Sequence, residues 1–408
     1  MEPKIRLKGF SGDWEDTTIG NIATVVGGGT PSTINPLYWN GPIQWFTPSE
    51  IGHTKYVEKS ERTITKDGID GSSARIIPAN SLLLSSRATI GEASINICEC
   101  TTNQGFQSLV PINVDLEFLY SLMITKKSDL LRESNGSTFL EISASKVKSI
   151  DICVPEKNEQ QALGSYFQHL DSLIQSTTKK IESLKQVKTA SLQSMFPQEG
   201  ETVPRVRFKG FNGEWEKVVV GKMGTTYSGL SGKTKDDFGI GNARFITFLN
   251  VLSNTIIDTY ILESVNVSEG EHQNEVRKGD LLFNTSSETP EEVGMCAVMD
   301  KDLKNVYLNS FCFGFRITDA NIDSTFIAHL MRSHIGRRIM SILAQGATRY
   351  NLSKNSFCNT ELLLPRTKEE QHQIANYFTS LDSQITLHTQ RLKKLKQIKS
   401  ACLDYMFV

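Results

Sequence analysis

The chain repeats itself at two places, and that constrains its fold more than any local pattern. Residues 3–22, PKIRLKGFSGDWEDTTIGNI, align without a gap on residues 204–223, PRVRFKGFNGEWEKVVVGKM, with 9 of 20 positions identical. Pro3 matches Pro204, Gly9 matches Gly210, Phe10 matches Phe211 and Trp14 matches Trp215. Residues 159–196 align on 370–407 with 17 of 38 identical. The offset is 201 in the first pair and 211 in the second, so the stretches between have diverged in length. Two like-built halves are expected, each a variable block followed by a well-matched one.

The matched 38-residue segments carry a helical period. Apolar residues fall at Leu163, Phe167, Leu170, Ile174, Ile181 and Leu184, and in the second copy at Ile374, Phe378, Leu381, Ile385, Leu392 and Leu395. Alternating steps of four and three mark a coiled-coil seam. Apart from Gly164 neither run contains Gly or Pro, and at 1.5 Å per residue each helix is roughly 55 Å long. A helix with one apolar stripe needs a partner in water, and the simplest is the other copy, lying antiparallel. Thr177 and His388 put polar groups at one seam level. Pro197 stops the first run, PQEGETVP (197–204) reads as a linker, and the second run continues to Val408. Residues near the two ends are therefore expected close together in a nearly cyclic, pseudo-twofold arrangement.

The variable blocks, 20–155 and 221–365, read differently. Short apolar runs such as Ser81–Ser85 and Asp280–Asn284 sit between Gly, Pro, Asn and Ser, as strands do. One helical stretch falls near the end of each block, about 115–133 and 323–345. The expected class is α+β: two strand-rich mixed α/β domains separated by two long antiparallel helices forming a coiled coil. Expected boundaries are 1–156 for the first domain, 157–197 for the first helix, 198–367 for the second domain (198–204 linker) and 368–408 for the second helix.

Composition adds exclusions. In 408 residues, 44 Lys+Arg against 45 Asp+Glu leave a net charge of −1, so no overall basic excess advertises phosphate contacts. No apolar run approaches the roughly 18 residues of a membrane span, and Met1-Glu2-Pro3-Lys4 lacks a signal core; a cytoplasmic protein is expected. Seven cysteines show no C-x-x-C spacing, so reduced thiols are expected, with Cys98 and Cys100 on one face of a strand. Catalytic signatures fail on spacing. Gly232-Lys233-Thr234 would need glycine at 227, which is Tyr227; Gly239-Ile240-Gly241 would need one at 244, which is Arg244. Gly27-Gly28-Gly29 reads as a flexible turn. His329 and His334 are five apart, not four, and no G-x-S-x-G elbow occurs. No catalytic or metal-ligating set emerges, and binding is the expected activity.

Several segments together resemble a known family. YWNGPIQWFTPSEI (38–51), LLLSSRATIGEASI (82–95), TTNQGFQSL (101–109), GSTFLEIS (136–143) and the two EQ…YF…LD…MF helices are similar to the specificity subunit of a bacterial type I restriction-modification system. The resemblance covers nearly the whole chain. It implies two target-recognition domains, each reading one half of a split double-stranded DNA site, held apart by the helices. It also implies docking of two methyltransferase (modification) subunits, and of restriction/translocase subunits through them. S-adenosylmethionine would belong to those partners, and this chain would be a non-catalytic subunit without a cofactor; its Asn35-Pro36 is followed by Leu37, not by a methyltransferase motif. In the second half GDLLFNTSSETPEEVGM (279–295) replaces the SSRATIG version and GATRYNLS (346–353) replaces GSTFLEIS, which implies an asymmetric target.

Base reading needs polar side chains on loops that enter a groove. The first-domain candidates are Gln44, Trp45, Thr47, Ser86 and Arg87, with a core position the alternative for Trp45. The second-domain candidates are Lys233, Lys235, Arg244, Asn284, Thr285, Arg349 and Tyr350. Glu141 and Asn351 occupy matching places and also fit structural roles. The run Arg391, Lys393, Lys394, Lys396 and Lys399 fits a solvated helix face as well as a contact with phosphate or a modification subunit. The residues alone leave a second reading open: a duplicated protein-binding scaffold with a coiled-coil spacer.

Overall fold

The computed structural model describes residues 1–136, 140–346 and 348–408; the motifs at 136–143 and 346–353 lie partly outside them. The chain divides into two units, residues 1–179 with 390–408, and residues 180–389. The first long helix, Lys157–Ser194, begins in the first unit and ends in the second; the second, Lys368–Met406, does the reverse. No helix among the described residues is long and apolar enough to cross a membrane.

In the first unit a five-stranded sheet has the order Ala23–Gly27, Gln107–Pro111, Ser81–Leu84, Ala93–Asn96, Tyr56–Val57. A second sheet sets Trp39–Phe46 between Arg62–Ile64 and Cys100–Thr102. The run Ser81-Leu82-Leu83-Leu84 is apolar without alternation because both faces of its sheet are covered. Leu82 and Leu84 enter the core shared with the long helix, whereas Leu83 joins Phe46 and Phe106 on the other face. The second unit repeats the plan with Gly224–Ser228, Cys312–Ile317, Leu281–Asn284 and Cys296–Val298 in one sheet, and Glu263–Val265, Phe238–Ile246 and Val306–Leu308 in another. There too Leu281 and Phe283 face one core and Leu282 the other.

The repeated sequences build the same frame twice. Asp115 caps the helix Leu116–Thr125 by accepting from Phe118 N (3.0 Å), and its own amide donates to Gln160 Oε1 on the long helix (3.0 Å). Asp323 does the same for Ser324–Arg332 through Phe326 N and Gln371 Oε1, both 2.9 Å. Arg6 makes a two-pronged pair with Glu159 (2.8 and 2.7 Å), and Arg207 with Glu370 (2.7 and 2.8 Å). Both glutamates are 2 % exposed, a burial that a carboxylate tolerates only when fully paired. Trp14 packs edge-on to Phe118 (6.0 Å) and Phe407 (6.2 Å), with Phe167 5.6 Å from Phe407. Trp215 packs on Phe196 (6.3 Å) and Phe326 (5.8 Å), with Phe378 5.7 Å from Phe196. Phe407, at the end of the second helix, thus completes the first core, and Phe196, just past the first helix, completes the second.

The two helices pair antiparallel inside each unit. In the first, Tyr166 meets Cys402 (3.4 Å) and Asp171 meets Lys399 (2.6 Å). In the second, Ser191 meets Tyr377 (2.9 Å) and Lys188 meets Asp382. Leu163, Phe167 and Leu170 join the first core with partly buried Leu395; Leu184, Ile374, Phe378 and Leu381 join the second with partly buried Ile385. Ile181 is buried, and Ile174 and Leu392 are partly so. Thr177 is buried as well and turns its hydroxyl back onto Leu173 O (2.7 Å), so its polarity is satisfied within its own helix. Ile5 N donates to Tyr405 O just as Val206 N donates to Ser194 O, each at 2.9 Å. Residues from opposite ends of the sequence therefore meet in the first unit where the linker runs in the second.

Three local expectations change. Each stretch expected as one helix is two, Leu116–Thr125 with Lys127–Arg132, and Ser324–Arg332 with His334–Leu343, because Lys126 and Ser333 leave helical geometry. Cys98 precedes the strand that Cys100 begins and donates instead to Glu58 O (3.1 Å). Gly28 does not sit in a loose turn: a Cβ there would collide with Asn103 O.

Candidate nucleic-acid interface

In both units the two sheets meet at a tight turn that organises a polar rim. In the first, Asn103 N donates to Phe46 O (3.0 Å), Gly105 N to Asn103 Oδ1 (2.8 Å) and Ser86 N to Gly105 O (2.8 Å). In the second, Asn309 N donates to Ile246 O (3.1 Å), Phe311 N to Asn309 Oδ1 (2.9 Å) and Thr285 N to Phe311 O (2.9 Å). Gly229 is pressed on Asn309 O as Gly28 is on Asn103 O. Only glycine permits so close a backbone approach.

A short ribbon extends from that turn. Ile142 N donates to Ser86 O (3.1 Å), and Leu352 N to Thr285 O (2.8 Å). Arg87 then faces Glu141, and Ser286 faces Asn351; beyond them Asn135 faces Glu141, and Gln345 faces Asn351. The two ribbons therefore share one register while differing in side chains. Ser86, Arg87, Thr285, Arg349 and Tyr350 belong to this assembly.

The candidates divide by what they already do. Arg87 is 43 % exposed and places Nη2 2.7 Å from Glu141 Oε1. Ser86 is buried with an unpartnered hydroxyl among the described residues. Thr47 lies beside the turn, since Pro48 covers Gly105, and its hydroxyl donates to Glu50 (2.7 Å). Gln44 and Arg244 hold the same register, opposite Cys100 and Val306. Gln44 accepts from Ser60 N (2.7 Å), whereas Arg244 is exposed. Trp45 is 4 % exposed and donates its indole N–H to Gly29 O (2.9 Å), which is the core alternative. Asn284 is buried, and its amide is spent on Glu292 O (2.8 Å) and Met295 N (2.6 Å), closing its own loop. Tyr350 stands opposite Ser287, and exposed Arg349 donates from Nε to Ser286 Oγ (3.2 Å).

Lys233 and Lys235 lie outside the ribbon. Lys233 bonds to Glu271, and with other donors holds that carboxylate down at about 2, so its charge is already met. Lys235 is exposed at the start of the short turn Lys235–Asp237. Arg391, Lys393, Lys394 and Lys396 are exposed on the second long helix, whereas Lys399 pairs with Asp171.

Sequence reasoning missed Phe311, 59 % exposed at the turn position where the first unit has Gly105. It also missed Lys354, whose ammonium reaches Ser228 Oγ (2.8 Å). Arg332, by contrast, is no reader. Burial lowers its pKa, and it donates to Cys296 O (2.6 Å), Val251 O (2.7 Å) and Asn254 O (2.7 Å).

Comparison with known proteins agrees with this architecture. Residues 11–186 and 212–397 each match the family described as type I restriction modification DNA specificity domain. The chain is 38 % identical over 189 residues to the type I restriction enzyme MjaIX specificity subunit of Methanocaldococcus jannaschii, covering 45 % of this chain and 44 % of that one. It is 33 % identical over 175 residues to the EcoR124I/EcoR124II specificity subunit of Escherichia coli, covering 41 % and 43 %. The aligned part thus spans less than half the length of either relative. A solved S subunit of a type I restriction-modification system from M. genitalium shares the fold across 100 % of this chain and 99 % of that one, with a TM-score of 0.63 at 15 % identity. A chain from a structure concerned with assembly and conformational transition of the type I R-M system matches over 97 % of each, with a TM-score of 0.52 at 15 % identity. With both repeats matched over most of its length, the chain belongs to the family of type I restriction-modification DNA specificity domains.

Proposed function

We propose that this chain is the DNA-reading subunit of a type I restriction-modification complex, each unit reading one half of an asymmetric bipartite site. One observation carries the reading: the two units keep the same frame, with its caps, buried ion pairs and aromatic clusters at matched positions, while the rims built on it carry different side chains. A duplicated frame with diverged rims suits two dissimilar half-sites. Exposed or rim-borne Thr47, Ser86, Arg87, Arg244, Thr285, Arg349 and Tyr350 are the residues for DNA contact. The long helices dock two methyltransferase subunits, and restriction/translocase subunits bind through these. S-adenosylmethionine resides in the methyltransferase partners, this chain performs no chemistry of its own, and the complex works in the cytoplasm.

The helices also set the unread spacer. One turn of B-DNA spans about 34 to 36 Å, within the reach of helices of 38 and 39 residues at 1.5 Å per residue. With a net charge of −1 the chain alone neutralises little phosphate, so isolated binding is weak and salt-sensitive and becomes tight in the complex. Single-molecule methylation sequencing of DNA from cells carrying this chain and its methyltransferase subunit tests the reading. A split motif that requires both proteins is expected. Methylation by this chain unaided, or no methylation with both present, contradicts it.

A further inference from the structure

Each unit presents one guanidinium from the same corner of its ribbon, although the two arginines occupy unrelated places in the sequence. Arg87 stands on the first strand of its ribbon, opposite Glu141. The residue in that register in the second unit is Ser286, opposite Asn351. Ser286 carries no charge, yet its hydroxyl receives Nε of Arg349 at 3.2 Å. The two ribbons thus bring a guanidinium to one register from different strands.

Both guanidinium groups are braced. Glu141 holds Nη2 of Arg87 at 2.7 Å, and Ser286 holds Nε of Arg349, whose terminal nitrogens have no partner among the described residues. The backbone beneath Arg87 is held as well. Ala88 has φ +57°, among the described residues the only position with positive φ that is neither glycine nor asparagine, and Thr89 N donates back to Arg87 O (2.5 Å). This is a strained γ-turn, a conformation that persists only where its surroundings impose it. A phosphate can also take the fork, but it brings no sequence information to a rim whose side chains differ between the two units. A base edge has two fixed acceptors, and the guanidinium fork matches O6 and N7 of guanine.

We infer that Arg87 and Arg349 are specificity-determining residues that each read one guanine, at the corresponding position of the two half-sites. The inference rests on the DNA-reading proposal above and deepens it. The test uses the full chain assembled with its methyltransferase subunits, on duplexes randomised through both half-sites. Arg87→Ala is expected to lose about 10- to 100-fold discrimination at a single G·C pair of one half-site and to leave the other half-site unchanged. Arg349→Ala is expected to do the same in the other half-site. Arg87→Lys keeps the charge without the fork and should behave as Arg87→Ala. Replacing that guanine by 7-deazaguanine should weaken the unaltered complex but not the Arg87→Ala complex, which separates base reading from misfolding. Uniform weakening across all sequences, the mark of a phosphate contact, overturns the inference, as does lost preference at an A·T pair or no change. An unaltered complex without preference in either half-site would instead sink the underlying DNA-reading proposal.

Discussion

The two units agree where they touch the long helices and differ where they face outward. Trp14, Phe118, Phe167 and Phe407 have counterparts in Trp215, Phe326, Phe378 and Phe196, and both buried arginine–glutamate pairs recur with the same geometry. At the rim, Gly105 is replaced by Phe311, Arg87 by Ser286 and Glu141 by Asn351 in the matched registers. The loop between Asn284 and Gly294 is also longer than that between Ser85 and Gly91, and Arg337 braces it by donating to Glu291 O (2.9 Å) and Gly294 O (3.0 Å). The difference teaches that the frame can be held constant while the reading surface changes, because the matched aromatic clusters and arginine–glutamate pairs are built from residues outside the ribbon.

If the frames are equivalent, breaking them at matched positions must cost alike. Phe378→Ala and Phe167→Ala, both at fully buried rings, should each destabilise their unit by about 3–5 kcal/mol in denaturant unfolding of the full chain. A cost below about 1 kcal/mol at either site would break the equivalence. A smaller effect sharpens a difference inside the frame. The position of Ser121 is taken by His329 in the second unit, buried with its ring tilted against Phe378 at 5.3 Å. Burial, with Lys188 and Arg332 nearby, pushes its pKa down to about 3. The native state holds it neutral while the unfolded chain protonates near 6.5, so the stability it contributes is present above pH 6.5 and is lost as pH falls toward 3. Roughly 2 kcal/mol should be gone by pH 5, and His329→Ser should remove that slope from unfolding measured against pH. The smallest effect concerns the caps. Asp115→Ala and Asp323→Ala should each cost about 1 kcal/mol in the same unfolding measurement.

Much of the frame could be read from the sequence because its signals are local or repeated. The four-three spacing through Leu163, Phe167 and Leu170 marks the buried stripe without any knowledge of the partner, and the shared Met-Phe pair at 195–196 and 406–407 marks where each helix meets a core. The rim was legible only as a region. Arg87 and Glu141 are far apart in sequence and meet through ribbon pairing, which no local window contains. Asn284 looks like a reader by composition, yet its amide is spent on its own loop. Gly28 looks flexible until Asn103 O is placed against it. Cys98 and Cys100 look like one strand face, but the strand starts only at Cys100.

The most direct test exchanges one variable block. Replacing residues 221–365 by the corresponding block of another member of the family, with both helices and residues 1–220 untouched, should change one half of the methylated motif and leave the other half and the spacer as they were. A motif altered in both halves, or a changed spacer with unchanged halves, would contradict two independent reading surfaces carried on a common frame.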